Sequence, residues 1–382
     1  STRKALDIKP NFAEAHSNLG NILKNLGKLQ DAELSYHKAI ELNPDLAKAY
    51  FSLSILKYSN NNNKWKDKLF SKSILNNKLK KEKIDIYFAR ANILHRDKNY
   101  NESAKYLKLA NKIKLEIQPS NSNLLIKKAK SLLIQSPKKV INVKEQSTKT
   151  ENIFIVGMFR SGSTLLESIL SMNTNVVDLG EMNILEESFL ESIKVNQDLN
   201  LYDLYCKKIE VFKKKCNITT NKNLHNYQYA GIIASRISNA RIIYCFRNPL
   251  DNILSIFRSN FSKGNEYSSS LIDTSKFYLD QEDIMQEYKN RFGSKIYELN
   301  YDLLVCNPNE EIKSLISWLG WKWDESYLAP HLNLRSVSTA SSVQIRSPIN
   351  SKSIGGWRNY KDMLQPAIEI LNKTDRYRDI NS

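Results

Sequence analysis

The sequence predicts an all-α repeat segment followed by an α/β domain in which helices flank a parallel sheet. Three observations predict it. Pro10 and Pro44 lie 34 residues apart and bracket small and large apolar residues at helical spacing. The short apolar run Ile153–Val156 feeds a glycine-bracketed turn and then a helix opening on hydroxyl residues. A second apolar run, Ala240–Phe246, is closed by Arg247-Asn248-Pro249. The 382 residues suffice for two or three cores at roughly one domain per ~150 residues, so a single mini-domain is excluded. The boundaries expected are a repeat segment over 1–118, a linker with one helix over 119–151, and the α/β domain over 152–382.

The formal net charge is +17, and all of the excess lies in residues 1–150, which hold 30 basic and 13 acidic side chains against 27 and 27 in the remainder. Such a surplus attracts acidic partners. Nucleic acid is disfavoured, because no basic cluster is interleaved with stacking aromatics, and docking of an acidic protein or peptide is the reading retained. A coat of solvated lysines over Asn-rich helices, as at Asn60–Asn63 and Asn76–Lys83, is the plainer alternative. Cys206, Cys216, Cys245 and Cys306 form no CxxC and have no His at ligand spacing, so neither a zinc site nor a disulfide framework is expected. No apolar run reaches the ~18–20 residues of a membrane span and no leader precedes the first helix, so a cytoplasmic protein is expected. The chain starts at Ser1 without Met, and Arg3–Ile8 read as the tail of an earlier repeat.

Taken in order, Ala13, Ala15, Leu19, Gly20, Leu23, Gly27, Ala32, Tyr36 and Ala39 fall where two antiparallel helices must approach closely. This resembles the tetratricopeptide repeat. The pattern continues through Ala47, Tyr50 and Leu53, and a further helical pair is predicted at Ile84–Leu94 and Asn101–Leu115. Such a stack either offers a concave surface to an extended peptide or caps the following domain. Pro119–Asn123 and the polar, basic stretch Gln135–Thr150 bracket one linking helix, Leu124–Ile134.

The turn after Val156 reads Gly157-Met-Phe-Arg160-Ser161-Gly162-Ser163-Thr164. Backbone N–H groups and a helix N-terminus presented this way receive a phosphate or sulfate. The spacing Gly157-x4-Gly162 is P-loop-like, but Ser163 stands where a nucleotide hydrolase has Lys, so an ordinary ATP or GTP site is disfavoured and Arg160 becomes the source of positive charge. Arg247 at the end of the second apolar run, with Ser255 eight residues on, can hold a second anionic group.

These motifs, together with Ser341–Asn350 and Gly355-Gly356-Trp357, resemble the sulfotransferases that use 3′-phosphoadenosine 5′-phosphosulfate (PAPS) and release 3′-phosphoadenosine 5′-phosphate (PAP), above all the tyrosylprotein sulfotransferases and bacterial relatives with tetratricopeptide repeats in front. The resemblance runs over roughly Ile153–Leu364. It implies that Arg160, Ser161, Gly162, Ser163 and Thr164 cradle the 5′-phosphosulfate and that Arg247 and Ser255 hold the 3′-phosphate. It further implies that Tyr301 lies beside the nucleotide, and that Ser341, Gln344, Arg346 and Asn350 belong to a segment closing over it. Glu181 matches the catalytic base, Lys222 the cation on the leaving group, with Arg160 and Ser341 assisting; no metal is implied. Four positions depart from the pattern: Asn221 for Asp, Gly356 for a basic residue (leaving Lys352 or Arg358 to serve), Ser259 for Arg (with Arg258 adjacent), and Phe159 for Pro.

The expected function is transfer of a sulfuryl group to an acceptor hydroxyl, with a peptide or protein tyrosine favoured and acidic flanks drawn to the basic repeats. A carbohydrate or small-molecule acceptor, a non-catalytic scaffold with a degenerate nucleotide site, and a nucleotide kinase or hydrolase are the alternatives. His225 and His331 lack partners at useful spacing, and Trp318, Trp321, Trp323 and Cys245 read as packing residues.

Overall fold

The structure, a computed structural model, describes residues 2–56, 64–139, 150–194, 200–213, 216–237 and 239–380. The expectation for Asn60–Asn63 and most of that for Gln135–Thr150 lie outside them. The repeat helices run Ala13–Asn25, Leu29–Leu42 and Ala47–Ile55, then Lys80–Arg96 and Tyr100–Ile117, with the linking helix at Ser122–Gln135. Close approach of the first pair needs glycine at position 20, where a Cβ would sit 2.5 Å from the Tyr36 ring. Tyr36 is fully buried and anchors a cluster with Leu23, Ala39, Tyr50, Leu53 and Trp65.

Five parallel strands follow: β1 (Glu151–Gly157), β2 (Val176–Asp178), β3 (Ile218–Asn221), β4 (Ala240–Phe246) and β5 (Ile296–Asn300). Their order in the sheet is β2-β3-β1-β4-β5. The inner runs Ile153–Val156 of β1 and Ile242–Phe246 of β4 are continuously apolar because helices cover both faces. Their side chains alternate, Phe154, Val156, Ile242 and Tyr244 entering one core and Ile153, Ile155, Ile243 and Cys245 the other. The chain leaves β1 in one direction for β2 and β3 and in the other for β4 and β5. That reversal opens a crevice at the carboxyl end of β1.

The repeats are fused to this layer by a shared apolar core. Ile84, Phe88, Ala91, Leu107 and Ala110 pack with Leu250, Ile253 and Phe257 of helix Pro249–Phe257 and with Leu364, Ala367 and Leu371 of helix Lys361–Leu371. Polar bonds line the same seam: Asn111 Nδ2 donates to the Phe257 carbonyl (2.9 Å), Lys114 Nζ to that of Phe261 (2.9 Å), and Asn260 Nδ2 to Asp85 Oδ1 (3.1 Å). No helix among the described residues is long and apolar enough to cross a membrane.

Candidate active site

Every strand ends in a residue of interest, so the crevice is assembled from five separate chain segments. β1 ends at Gly157, whose φ of 140° and position against β4 admit no side chain, since a Cβ would stand 2.2 Å from the Cys245 carbonyl oxygen. Three residues on, Arg160 holds a left-handed backbone (φ 69°), a conformation costing an L-residue roughly 1–2 kcal/mol. Gly162 (φ 94°) precedes helix Ser163–Leu170 and lies under the Tyr301 ring, where a Cβ would meet Cδ2 at 2.3 Å. The turn thus aims the helix N-terminus into the crevice and turns the Arg160 side chain across it.

Arg160 Nε donates to Ser255 Oγ (3.1 Å), Nη2 to Gln344 Oε1 (3.1 Å) and Nη1 to Ser341 Oγ. At the end of β4 Arg247 donates to the carbonyls of Ser353 (3.1 Å) and Arg160 (3.4 Å), and its guanidinium stacks over the Tyr301 ring at 4.6 Å. Carboxylates approach Arg247 only to 4.0 Å, at Asp251 and Asp302, and its buried Nε has no hydrogen-bond partner among the described residues. Burial, with Arg247 and Arg258 nearby, pulls the Arg160 pKa down to about 10. Two guanidiniums held by neutral oxygens form a site short of negative charge, the arrangement an anionic ligand would complete. Asp251, buried at the start of the following helix, accepts from the backbone N–H of Gly355 (2.7 Å) and Trp357 (2.9 Å) and so pins that segment beside Arg247.

On the other side of β1 the residue after β3 is Lys222, fully buried with Nζ 2.7 Å from Glu181 Oε1 and 4.0 Å from Glu167 Oε2. Glu181 lies just past β2 and is exposed. Asn221 takes no part in the ion pairing: its Oδ1 accepts from the Asn223 N–H (3.1 Å) and Asn226 Nδ2 (3.0 Å), fixing the turn that follows the strand.

Ser161 Oγ donates to the Met158 carbonyl (2.7 Å), bracing the turn, and Thr164 Oγ1 meets Thr339 Oγ1 at 3.3 Å. The Arg346 guanidinium is taken up by three backbone carbonyls. Nη1 donates to the Asn333 carbonyl (2.6 Å) and Nη2 to those of Arg335 (2.6 Å) and Asn25 (3.2 Å). Asn350 is exposed and makes a local turn with Pro348 and Lys352, Ser259 Oγ bonds the Ser255 carbonyl, and Phe159 packs on His225 and Phe261.

Sequence reasoning missed the charge network behind Lys222. Arg335 donates to Glu167 Oε2 (3.2 Å), Ser168 Oγ (3.1 Å) and Asp178 at the end of β2. Burial raises the Glu167 pKa, and Lys222 and Arg335 oppose the shift. A signal existed, since Glu167 is a lone charge within Leu165–Leu170. Its partner Arg335 sits in an irregular segment with no periodicity to mark it. Among the described residues no cluster of His, Cys, Asp and Glu is placed to hold a metal.

Comparison with known proteins places the two parts. Residues 152–325 match the sulfotransferase family, and residues 13–46 and 84–116 each match a tetratricopeptide repeat. An uncharacterized protein of Aquifex aeolicus is 24% identical over 396 aligned positions, which cover 97% of this chain and 52% of the relative. The chain therefore spans about half the length of the curated relative it matches. Among solved structures, the sulfotransferase domain of the Synechococcus PCC 7002 olefin synthase is similar at a TM-score of 0.43 and 16% identity, over 60% of this chain and 97% of that one. Mouse sulfotransferase SULT7A1 complexed with PAP gives 0.41 and 16%, over 60% and 86%. The chain thus joins two stretches similar to tetratricopeptide repeats to a following stretch, residues 152–325, similar to the sulfotransferase family.

Proposed function

We propose that the protein transfers a sulfuryl group from PAPS to an acceptor hydroxyl, and that the acceptor is a tyrosine in a peptide with acidic flanks. The observation that carries the nucleotide assignment is the pair of guanidiniums, half-buried Arg160 and buried Arg247, bonded to neutral oxygens, with one orphaned Nε on Arg247. Two separated cationic pockets fit a ligand with two separated anionic groups. When bound, PAPS supplies an activated sulfuryl group and a leaving phosphate.

The turn Arg160–Thr164, with its backbone N–H groups and the helix N-terminus, would receive the 5′ end, while Arg247 and Ser255 would bind the 3′-phosphate against the Tyr301 ring. Glu181, exposed at the crevice, would take the acceptor proton on a carboxylate oxygen. Its bond with Lys222 orients that carboxylate and leaves the ammonium N–H groups to stabilise charge gathering on the leaving oxygen. Arg160 and Ser341, already bonded to each other, would brace the oxygens of the transferring group. The basic bias of residues 1–150 supports the acidic acceptor.

Calorimetric titration with PAP against ADP tests the nucleotide assignment. Binding that requires the 3′-phosphate and falls at least tenfold in Arg247→Ala is expected, whereas equal affinity for ADP refutes it. Acidic tyrosine peptides should be sulfonated in a salt-sensitive manner. Turnover of Glu181→Gln equal to wild type would remove Glu181 from the role of base.

A further inference from the structure

The segment from Asn333 to Arg346 touches three bodies at once. Arg335 reaches the end of β2 and the helix after the anion-binding turn through Asp178, Glu167 and Ser168. Thr339, Ser341 and Gln344 meet that turn through Thr164 and Arg160. The third body is the first tetratricopeptide repeat, more than 300 residues away in sequence. Helix Ala13–Asn25 ends with carbonyls that have no partner of their own within the helix. The Asn25 carbonyl accepts from the Val337 N–H (2.9 Å) and from Arg346 Nη2 (3.2 Å). Gly27 follows in the left-handed conformation (φ 78°) that ends many helices, and Arg346 lies across it so closely that a Cβ would stand 2.8 Å from Nε. Val343 packs against the repeat core itself.

Arg346 therefore gathers three carbonyls, one from the repeat and two from the strap that carries Arg335. We propose that the Asn25–Gly27 corner of the first repeat, acting through Arg346, is a positioning element of the active site: it holds the 335–346 strap where Ser341 and Gln344 can orient Arg160. On this reading Arg346 is a positioning residue that does not touch the nucleotide. The repeat domain and the anion site are then thermodynamically linked, because any ligand that moves the corner also moves the strap. The inference rests on the nucleotide assignment above only where affinity for PAP is the readout.

The test is a cycle of Gly27→Ala and Arg346→Ala, read by calorimetric PAP affinity and by hydrogen exchange of the nucleotide-free protein. The three atoms nearest a Cβ at Gly27 all belong to Arg346, so its substitution reports what the corner transmits. Gly27→Ala should weaken PAP on the order of tenfold and speed amide exchange at Ser341–Arg346, with the two changes together costing no more than the larger alone. Unchanged affinity and exchange in Gly27→Ala would overturn the proposal, even with a lowered melting temperature. Weakening confined to Arg346→Ala would also overturn it, by making Arg346 a direct ligand. If the wild type does not bind PAP, the nucleotide assignment fails separately and exchange at the strap still decides the positioning role. Should Gly27→Ala not fold, Val343→Ala loosens the strap's packing on the same repeat core and should likewise speed exchange at Ser341–Arg346.

Discussion

Lys222 offers the sharpest quantitative test, because its ammonium is buried between two carboxylates of different character. Lys222→Met keeps the length of the side chain and removes the charge. At the observed 4.0 Å to Glu167, the Coulomb attraction in an effective dielectric of about 20 is about 4 kcal/mol. Part of that is offset because an ammonium need no longer be desolvated, and Arg335 still contacts Glu167, so the net loss is about 3 kcal/mol. For a domain of this size that lowers Tm by about 5–10 °C. Adding Glu167→Gln removes the buried charge left behind and should recover at least half of the loss. Turnover should stay abolished in both variants, since the cation proposed for the leaving oxygen is gone. Thermal and urea unfolding, read with PAP-coupled turnover, check both halves. A single variant melting within about 1 °C of wild type, or a double variant losing the sum of the two singles, would refute the coupling.

The remaining predictions concern the turn, the seam and pH. Gly162→Ala should weaken PAP at least tenfold, since the new methyl collides with Tyr301 at a left-handed position; calorimetry that finds wild-type affinity would show the turn to be adaptable. Leu364→Ala, in the core shared by repeats and catalytic domain, should cost about 2–5 kcal/mol in urea unfolding and loosen both parts together, whereas loss in one alone would mean they fold separately. His95, on the repeat side of that seam, bonds the Tyr360 hydroxyl, and burial, Arg258 and Arg96 press its pKa down to about 3. The unfolded chain therefore binds a proton between about pH 6.5 and 3 that the folded chain does not, and stability falls as pH drops through that window. At pH 5 the effect is at most about 2 kcal/mol. His95→Gln should flatten the Tm profile between pH 7 and 5, and a profile unchanged from wild type would contradict the assignment.

Local chemistry made much of the fold and site legible. The repeat announces itself over one 34-residue period, and the Gly157–Gly162 turn and the apolar runs of β1 and β4 each within about ten residues, because backbone geometry and periodic burial are local demands. Ser255, Ser341 and Gln344 do meet around Arg160, and Lys222 does meet Glu181. Arg346 reads differently in three dimensions. Its neighbours in sequence belong to the strap over the site, yet the length of its side chain carries the guanidinium back to Asn25, a partner no local pattern can reveal. The Glu167–Arg335–Asp178 network was hidden for the same reason. Charges pair across an interior only once strands far apart in sequence have set the distance.

The core shared by the repeats and the last helix also dictates an order of assembly. Contacts between helices Ala13–Asn25 and Leu29–Leu42 are short-range, so the repeats can form while the chain is still being made. The sheet must wait, because β1 pairs with β3 and β4, roughly 65 and 90 residues downstream. The apolar face of helices Lys80–Arg96 and Tyr100–Ile117 waits longest, only partly covered until Leu364, Ala367 and Leu371 have been synthesised and docked. A nascent chain stalled before residue 361 presents Ile84, Phe88 and Leu107 without their final cover, and that exposed face is where a chaperone would bind or two unfinished chains would stick together.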